Sequence, residues 1–419
     1  MKKKFSLFYL LAILLLALAS ISWNFVDKIY GSSSKDPADF FSKASPQALA
    51  LVERAWRDYP NQTVYDLHVH AFGNNEKENG NYINPESVKI AHITHYLRMK
   101  AYLSAGKVNN INSIDEQYME HLVKLARNMG HPVRLYLLAL DKYYDKSGNI
   151  VMKNTDCYIS NQYVFKIANT YPDIFEPVIS VHPYRRDAVL ELEHWAKKGV
   201  RMVKWIPNVQ GIDPSDERIV PFYLAMKKYN MTLLVHSGEE LELETHGQQY
   251  LGNPLLLRRP LDCGVKVIIA HCASSGKNVD LDKPGKVKIH NFDLFMRLMD
   301  EKKYEGLLYA DISGTIQFNR MNKTLPVLLK RQDIQTRLVN GSDYPLPAIN
   351  VLIHTGNFVK KGYITKDEQK ALKEIYDYNP LLFDFVLKRT IRNPGSSQGF
   401  LPQLFINNPL SANRIAEVL

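Results

Sequence analysis

Two histidines set two residues apart, His68 and His70 in the stretch VYDLHVH, are the first residues of this chain equipped for chemistry. Side chains alternate along a β-strand, so positions i and i+2 share a face, and two imidazoles there can share one metal ion. Later apolar runs end on residues of the same ligand class: LLVHSG carries His236, VIIAHCAS carries His271 and LVNGSDYP carries Asp343. A lone histidine is more often a hydrogen-bonded core or surface residue, and an aspartate at a strand end is usually a turn or helix cap. Five such residues, each closing a β-like run, are hard to explain by packing and together predict a metal site. Lys204, near the end of GVRMVKWIP, occupies a sixth position of this kind.

These residues need a scaffold that brings strand ends together. From Thr63 onward short β-branched runs alternate with amphipathic stretches, the pattern of a parallel sheet wrapped in helices. Eight strands are expected: Val64 to His70, Val133 to Asp141, Phe175 to His182, Val200 to Ile206, Thr232 to His236, Val265 to His271, Leu307 to Ile312 and Leu338 to Asp343. Ser113 with Glu116 reads as a capping box and Gly130 as a helix stop; Asn84-Pro85 and Asn291 read as helix starts. Eight strands with helical crossovers predict an α/β fold, a (β/α)8 TIM-type barrel, whose strand C-termini converge on one mouth.

With these motifs in place, the sequence resembles the amidohydrolase superfamily, in particular its amidohydrolase-related branch of metal-dependent hydrolases and non-oxidative decarboxylases. The resemblance runs from about Val64 to Arg389 through HVH, GVRMVKWIP, VHSG, AHCAS, GSDYP and the late IYDYNPLLF. It implies that His68, His70 and Asp343 hold a divalent ion, with His236 joining them or holding a second one. His271 is then a ligand in two-metal relatives and a substrate-polarising group in one-metal relatives. A carboxylated Lys204 would bridge two ions, whereas a plain lysine fits one, and one ion is favoured.

Neutral imidazoles and a carboxylate suit zinc, with manganese or iron compatible. Such a site would activate water near neutral pH, with Asp343 moving its proton and His271 or the ion steadying the oxyanion. The expected reaction is hydrolysis of an amide, ester, lactone or related bond in a small molecule. Decarboxylation at the same site is the alternative, and an inactive, membrane-tethered binding protein is the third reading. His182, Tyr184 and Arg185 after the third strand, and Lys277, Lys283, Lys286 and Lys288 after the sixth, raise an anionic substrate. Tyr82, His95, Tyr96 and Tyr102 are candidates to line a cap over the mouth.

The net charge of +10 in a chain of 419 residues comes without a zinc finger, an RNA-binding signature or a basic stripe, so no nucleic-acid partner is expected. Cys157, Cys263 and Cys272 lack CxxC spacing. Lys2 to Lys4 precede an apolar run from Phe5 that continues through Ile21, Trp23, Phe25 and Val26, which reads as an uncleaved anchor in preference to a cleaved signal peptide. Positive-inside logic then places the working domain outside the cytoplasm. The expected organisation is an export segment at 1–30, a linker and lead-in helix at 31–62, and the barrel at 63–390 with a helical cap at 71–132. A C-terminal tail at 391–419 packs on the barrel exterior.

Overall fold

A computed structural model describes residues 33–89 and 93–410. Eight parallel strands form its centre: β1 (Val64–His70), β2 (Val133–Leu138), β3 (Phe175–Val178), β4 (Met202–Trp205), β5 (Thr232–Val235), β6 (Lys266–Ile269), β7 (Leu308–Asp311) and β8 (Leu338–Val339). Ladders join β1, β2 and β3 in one sheet and β4 to β8 in another. Two parallel bridges link the sheets, Ile179 with Val203 and Val69 with Tyr344. At the second seam the Leu67 amide donates to the Asn340 carbonyl (2.9 Å), that of Asp343 to His68 (2.8 Å) and that of His70 to Tyr344 (3.0 Å). The ring of strands is thereby closed, as a β/α barrel requires.

Most strands are shorter than the apolar runs that form them. β5 stops at Val235, β6 at Ile269 and β8 at Val339, so His236, His271 and Asp343 lie on the turns just beyond. The chain leaves the ladder there to bend over the mouth, and apolar content does not reveal that bend.

The pleat sorts side chains into two cores. Leu67, Leu138, Val178, Met202, Leu234, Ile268 and Val339 pack inside the ring, whereas Val69, Leu137, Val203, Leu233, Val267 and Ile269 face the helices. The tail sits against both: Phe400, Leu404 and Phe405 join the outer core, and Leu410 packs against the inner one.

Between β1 and β2 the described chain includes a helix at Ile93–Ala105 and another at Ile114–Arg127. The second buries Tyr118, Leu122 and Leu125 on one face, as its period demands. Its capping box does not form, because Gln117 reaches back to take the Ser113 carbonyl (3.1 Å) and hydroxyl (2.5 Å). At the helix Asn291–Met299 the capping side chain is that of His290, one residue earlier than expected. The buried Asp115 carboxylate ties the start of this connection, accepting from the Asn74 and Asn75 amides and from the side chains of Asn79 and Asn81. The three cysteines are unpaired. The expected export segment lies outside the described residues, among which no helix is long and apolar enough to cross a membrane.

Candidate metal centre

The geometry of β1 departs from a plain alternation. Between Asp66 and Val69 it carries one residue more than β2 opposite it. This bulge sends Leu67 into the inner core, leaves Asp66 facing the outer helices and still turns both His68 and His70 to the mouth. β8 approaches closely because Gly341 has no side chain; a Cβ there would lie 2.8 Å from the Cβ of His68.

His70 Nε2 lies 3.1 Å from Asp343 Oδ1, and His68 Nε2 lies 3.4 Å from the same oxygen. On its other side His68 presents Nδ1 to Asp311 Oδ2 at 2.9 Å. A carboxylate there fixes the ring proton on Nδ1 and turns the Nε2 lone pair toward the mouth. Lys204 Nζ donates to that Nε2 at 2.9 Å. His271 stacks on His68 with ring centres 5.0 Å apart, and His236 meets His271 edge-on at 5.3 Å.

This donor set suits a divalent ion. Ligand atoms around zinc lie about 3.4 Å apart when each is about 2.1 Å from the ion, and those of His68, His70 and Asp343 lie within 4.8 Å of one another. His236 Nε2 is buried with no hydrogen-bond partner, a loss that a ligated ion would remove. Protonation favours binding as well. Burial pushes His70 down, His236 down to about 4 and His271 well below the usual imidazole range, which disfavours their charged forms. Burial works against ionised Asp343, but His271, His68 and His70 hold its carboxyl well below the usual carboxylate range. Burial also pushes Lys204 down to about 8, against the pull of Asp343, Asp311 and Glu240.

A second cluster, His68, His271 and Asp311, also brings ligand atoms within 4.8 Å of one another, but hydrogen bonds already occupy it. Asp311 Oδ1 accepts from the His271 amide (2.9 Å), the Ser313 amide (3.0 Å) and, very closely, the Ser313 hydroxyl. With the Ser313 hydroxyl donating to Asp311, the Ser313 oxygen accepts from His271 Nδ1 at 2.7 Å. A neutral His271 therefore presents an Nε2 lone pair and suits an acceptor or ligand role better than oxyanion donation. The site also stores backbone strain: His271, Cys272 and Ala273 take φ of 56°, 50° and 48°, and Asp343 takes 61°, in the left-handed region.

A cavity of about 1110 Å³, mouth included, opens over these residues and is walled by Phe72, Met99, Tyr102 and Leu346. His95 and Tyr102 line it; Tyr82 instead pairs with Tyr158 in a two-residue ladder, and Tyr96 is not among the lining residues. The residues after β3 stay out of the cavity. His182 Nε2 meets the Gln210 carbonyl (2.8 Å), Tyr184 donates to Asp216 (2.8 Å), and Arg185 is bound by Asp141, Asp187 and Glu191. Their polar groups are satisfied within the protein, and none of the three lines the cavity. Lys277 and Lys288 belong to a hairpin, and no lysine of that loop lines the cavity.

Sequence reasoning missed Asp311, although it closes the seventh strand just as the expected ligands close their apolar runs. Glu240, Glu242 and Arg320 also line the cavity, on loops where no periodicity marks an inward residue.

Fold and site define a β/α barrel with histidines and an aspartate gathered at the strand C-termini, where they could hold a metal ion. A profile of the amidohydrolase family matches residues 65–348, and the chain belongs to the amidohydrolase superfamily. No curated protein matches the sequence. Among solved structures it is similar to an uncharacterized TIM-barrel protein from Bordetella bronchiseptica, at 15% identity over 75% of this chain and 95% of that one, with a TM-score of 0.46. It is also similar to a putative 2-pyrone-4,6-dicarboxylic acid hydrolase from Pseudomonas putida, at 18% identity over 68% and 83% with a TM-score of 0.36. A 4-oxalomesaconate hydratase from Rhodopseudomonas palustris matches at 11% identity over 75% and 95%, with a TM-score of 0.38.

Proposed function

We propose that the chain is a hydrolase of small molecules that uses one divalent ion, zinc by first choice, held by His68, His70, Asp343 and His236. The observation that carries this reading is the closeness of His68 Nε2 and His70 Nε2 to Asp343 Oδ1, with the orphaned His236 Nε2 in the same cavity. When bound, the ion would polarise both a water molecule and the carbonyl under attack. The ionised Asp343 takes a proton from the attacking water and returns it to the leaving group, so the water's oxygen ends on the carbonyl carbon. Asp311 holds the tautomer of His68, and Ser313 holds that of His271. A single ion is favoured because hydrogen bonds within the protein already engage the second cluster.

Metal analysis tests the reading directly. Protein purified without chelators should hold about one divalent ion per chain, and Asp343→Asn should lower turnover by about 10²- to 10⁴-fold. If the wild type holds no ion, and added zinc or manganese neither binds nor activates it, the reading fails. A substrate panel scored for CO₂ release as well as hydrolysis separates hydrolysis from decarboxylation.

We also infer export through residues 1–30, where three lysines precede an apolar run. Full-length protein should then sediment with membranes and be cut by protease added from outside the cytoplasm. Recovery in the soluble cytoplasmic fraction would remove this inference.

A further inference from the structure

Arg320 stands at the start of the helix Met321–Lys330, on the connection that follows β7, and lines the cavity together with Lys204, His236, His271 and Asp343. It is 6% exposed. Its Nε has no hydrogen-bond partner, and its guanidinium makes one hydrogen bond, long and to a neutral group, from Nη1 to Ser274 Oγ at 3.4 Å. Among the described residues no carboxylate lies within ion-pair distance of it. A guanidinium stays charged at any physiological pH, and a buried charge left unpaired is costly enough that proteins rarely keep one.

The other cations near the mouth are answered. Lys204 donates to His68 and is drawn by Asp343 and Asp311, and Arg98, only half-buried, donates to the Glu242 carbonyl at 3.4 Å. Arg320 alone combines burial, an open donor edge and a place on the cavity wall. The rest of that wall is largely apolar, with Phe72, Met99, Tyr102 and Leu346 on the side of the helix Ile93–Ala105 and the β8 turn.

We propose that Arg320 is the specificity-determining residue for an anionic substrate: a small molecule with an apolar body and a carboxylate that the guanidinium holds while the reacting bond lies at the histidines. This deepens the hydrolase reading and rests on it. A planar guanidinium offers two parallel N–H groups to a carboxylate, and protein walls that exclude water strengthen the pair. The carboxylate so held is a handle. Its charge is stabilised in the ground state, which opposes its loss as CO₂, so the bond broken lies elsewhere in the substrate.

The test uses zinc-loaded full-length protein and two probes of equal shape, 4-phenylbutyrate and 4-phenylbutyramide, with binding followed by calorimetry. The wild type should bind the acid about 10-fold or more tightly than the amide. Arg320→Gln should erase the preference, and Arg320→Lys should keep part of it. For any substrate found in the hydrolysis panel, Arg320→Lys should raise KM more than it lowers kcat. Equal binding of acid and amide, no binding of either by the wild type, or an acid preference that survives Arg320→Gln overturns the proposal. The wild-type comparison stands even if a variant fails to fold. Because binding needs no turnover, failure here is distinguishable from failure of the hydrolase reading, which shows in metal content and activity.

Discussion

The seam between β8 and β1 has polar groups on both sides, and the two sides treat them in opposite ways. On the outer side Lys388, fully buried, donates to the Gly341 carbonyl (2.7 Å) and to Asp384 (2.5 Å). Asp66 accepts there from the amides of Ser342 (2.8 Å) and His68 (3.2 Å). On the inner side His236 Nε2 and Arg320 Nε have no partner, and the Glu242 carboxyl group stands at the same cavity. Both clusters are polar and largely enclosed, so enclosure alone does not mark function. What separates them is satisfaction: the outer groups spend their hydrogen bonds on holding the chain, and the inner groups keep theirs available. The two are linked, since Lys388 and Asp66 fix Gly341 and Ser342, the residues just before Asp343.

If the outer cluster is structural, breaking it should cost the most. Lys388→Met leaves the Asp384 carboxylate buried without its cation, a loss of about 3–5 kcal/mol in unfolding free energy. Burial already pushes Asp384 up to about 7 against the pull of Lys388. The loss should therefore shrink at acid pH, where Asp384 takes a proton. The double variant Lys388→Met with Asp384→Leu should recover most of the stability, since it removes both charges together. Urea unfolding of the three proteins measures this, and a single variant as stable as the wild type would erase the distinction between the two sides.

The same contrast explains what the sequence made legible. The barrel could be read because apolar β-runs and helical periods recur, and four of the five ligand positions lie on or within two residues of a strand end. Asp343 lies four residues past β8, yet its run could still be followed through GSDYP. Asp311 was equally readable in LYADIS, but its work is to orient His68, and ligand chemistry alone does not point to such a residue. The bulge in β1 was hidden: a strict alternation groups Asp66 with His68 and His70, whereas the extra residue sends Asp66 to the helices. Arg185 and Arg320 show the limit from the other direction. Both are arginines beyond a strand, and only the structure shows that one is fully paired and the other is not.

A smaller effect probes the inner side. Burial, and then the neighbouring Glu240, push the Glu242 carboxyl up to about 7. From its ordinary value of 4.5 up to that pH the folded protein binds more protons at this group than the unfolded chain does. By linkage, stability falls as pH rises through that window, the reverse of the usual paired carboxylate. Glu242→Gln carries no such charge, so in metal-free protein it should unfold at a higher temperature than the wild type at pH 8 and at about the same temperature at pH 5. The difference should be about 1 kcal/mol once solvent screening of a partly exposed group is allowed for. A variant less stable than the wild type at pH 8 would mean that Glu242 is satisfied like Asp66, and the inner side would lose part of its contrast with the outer one.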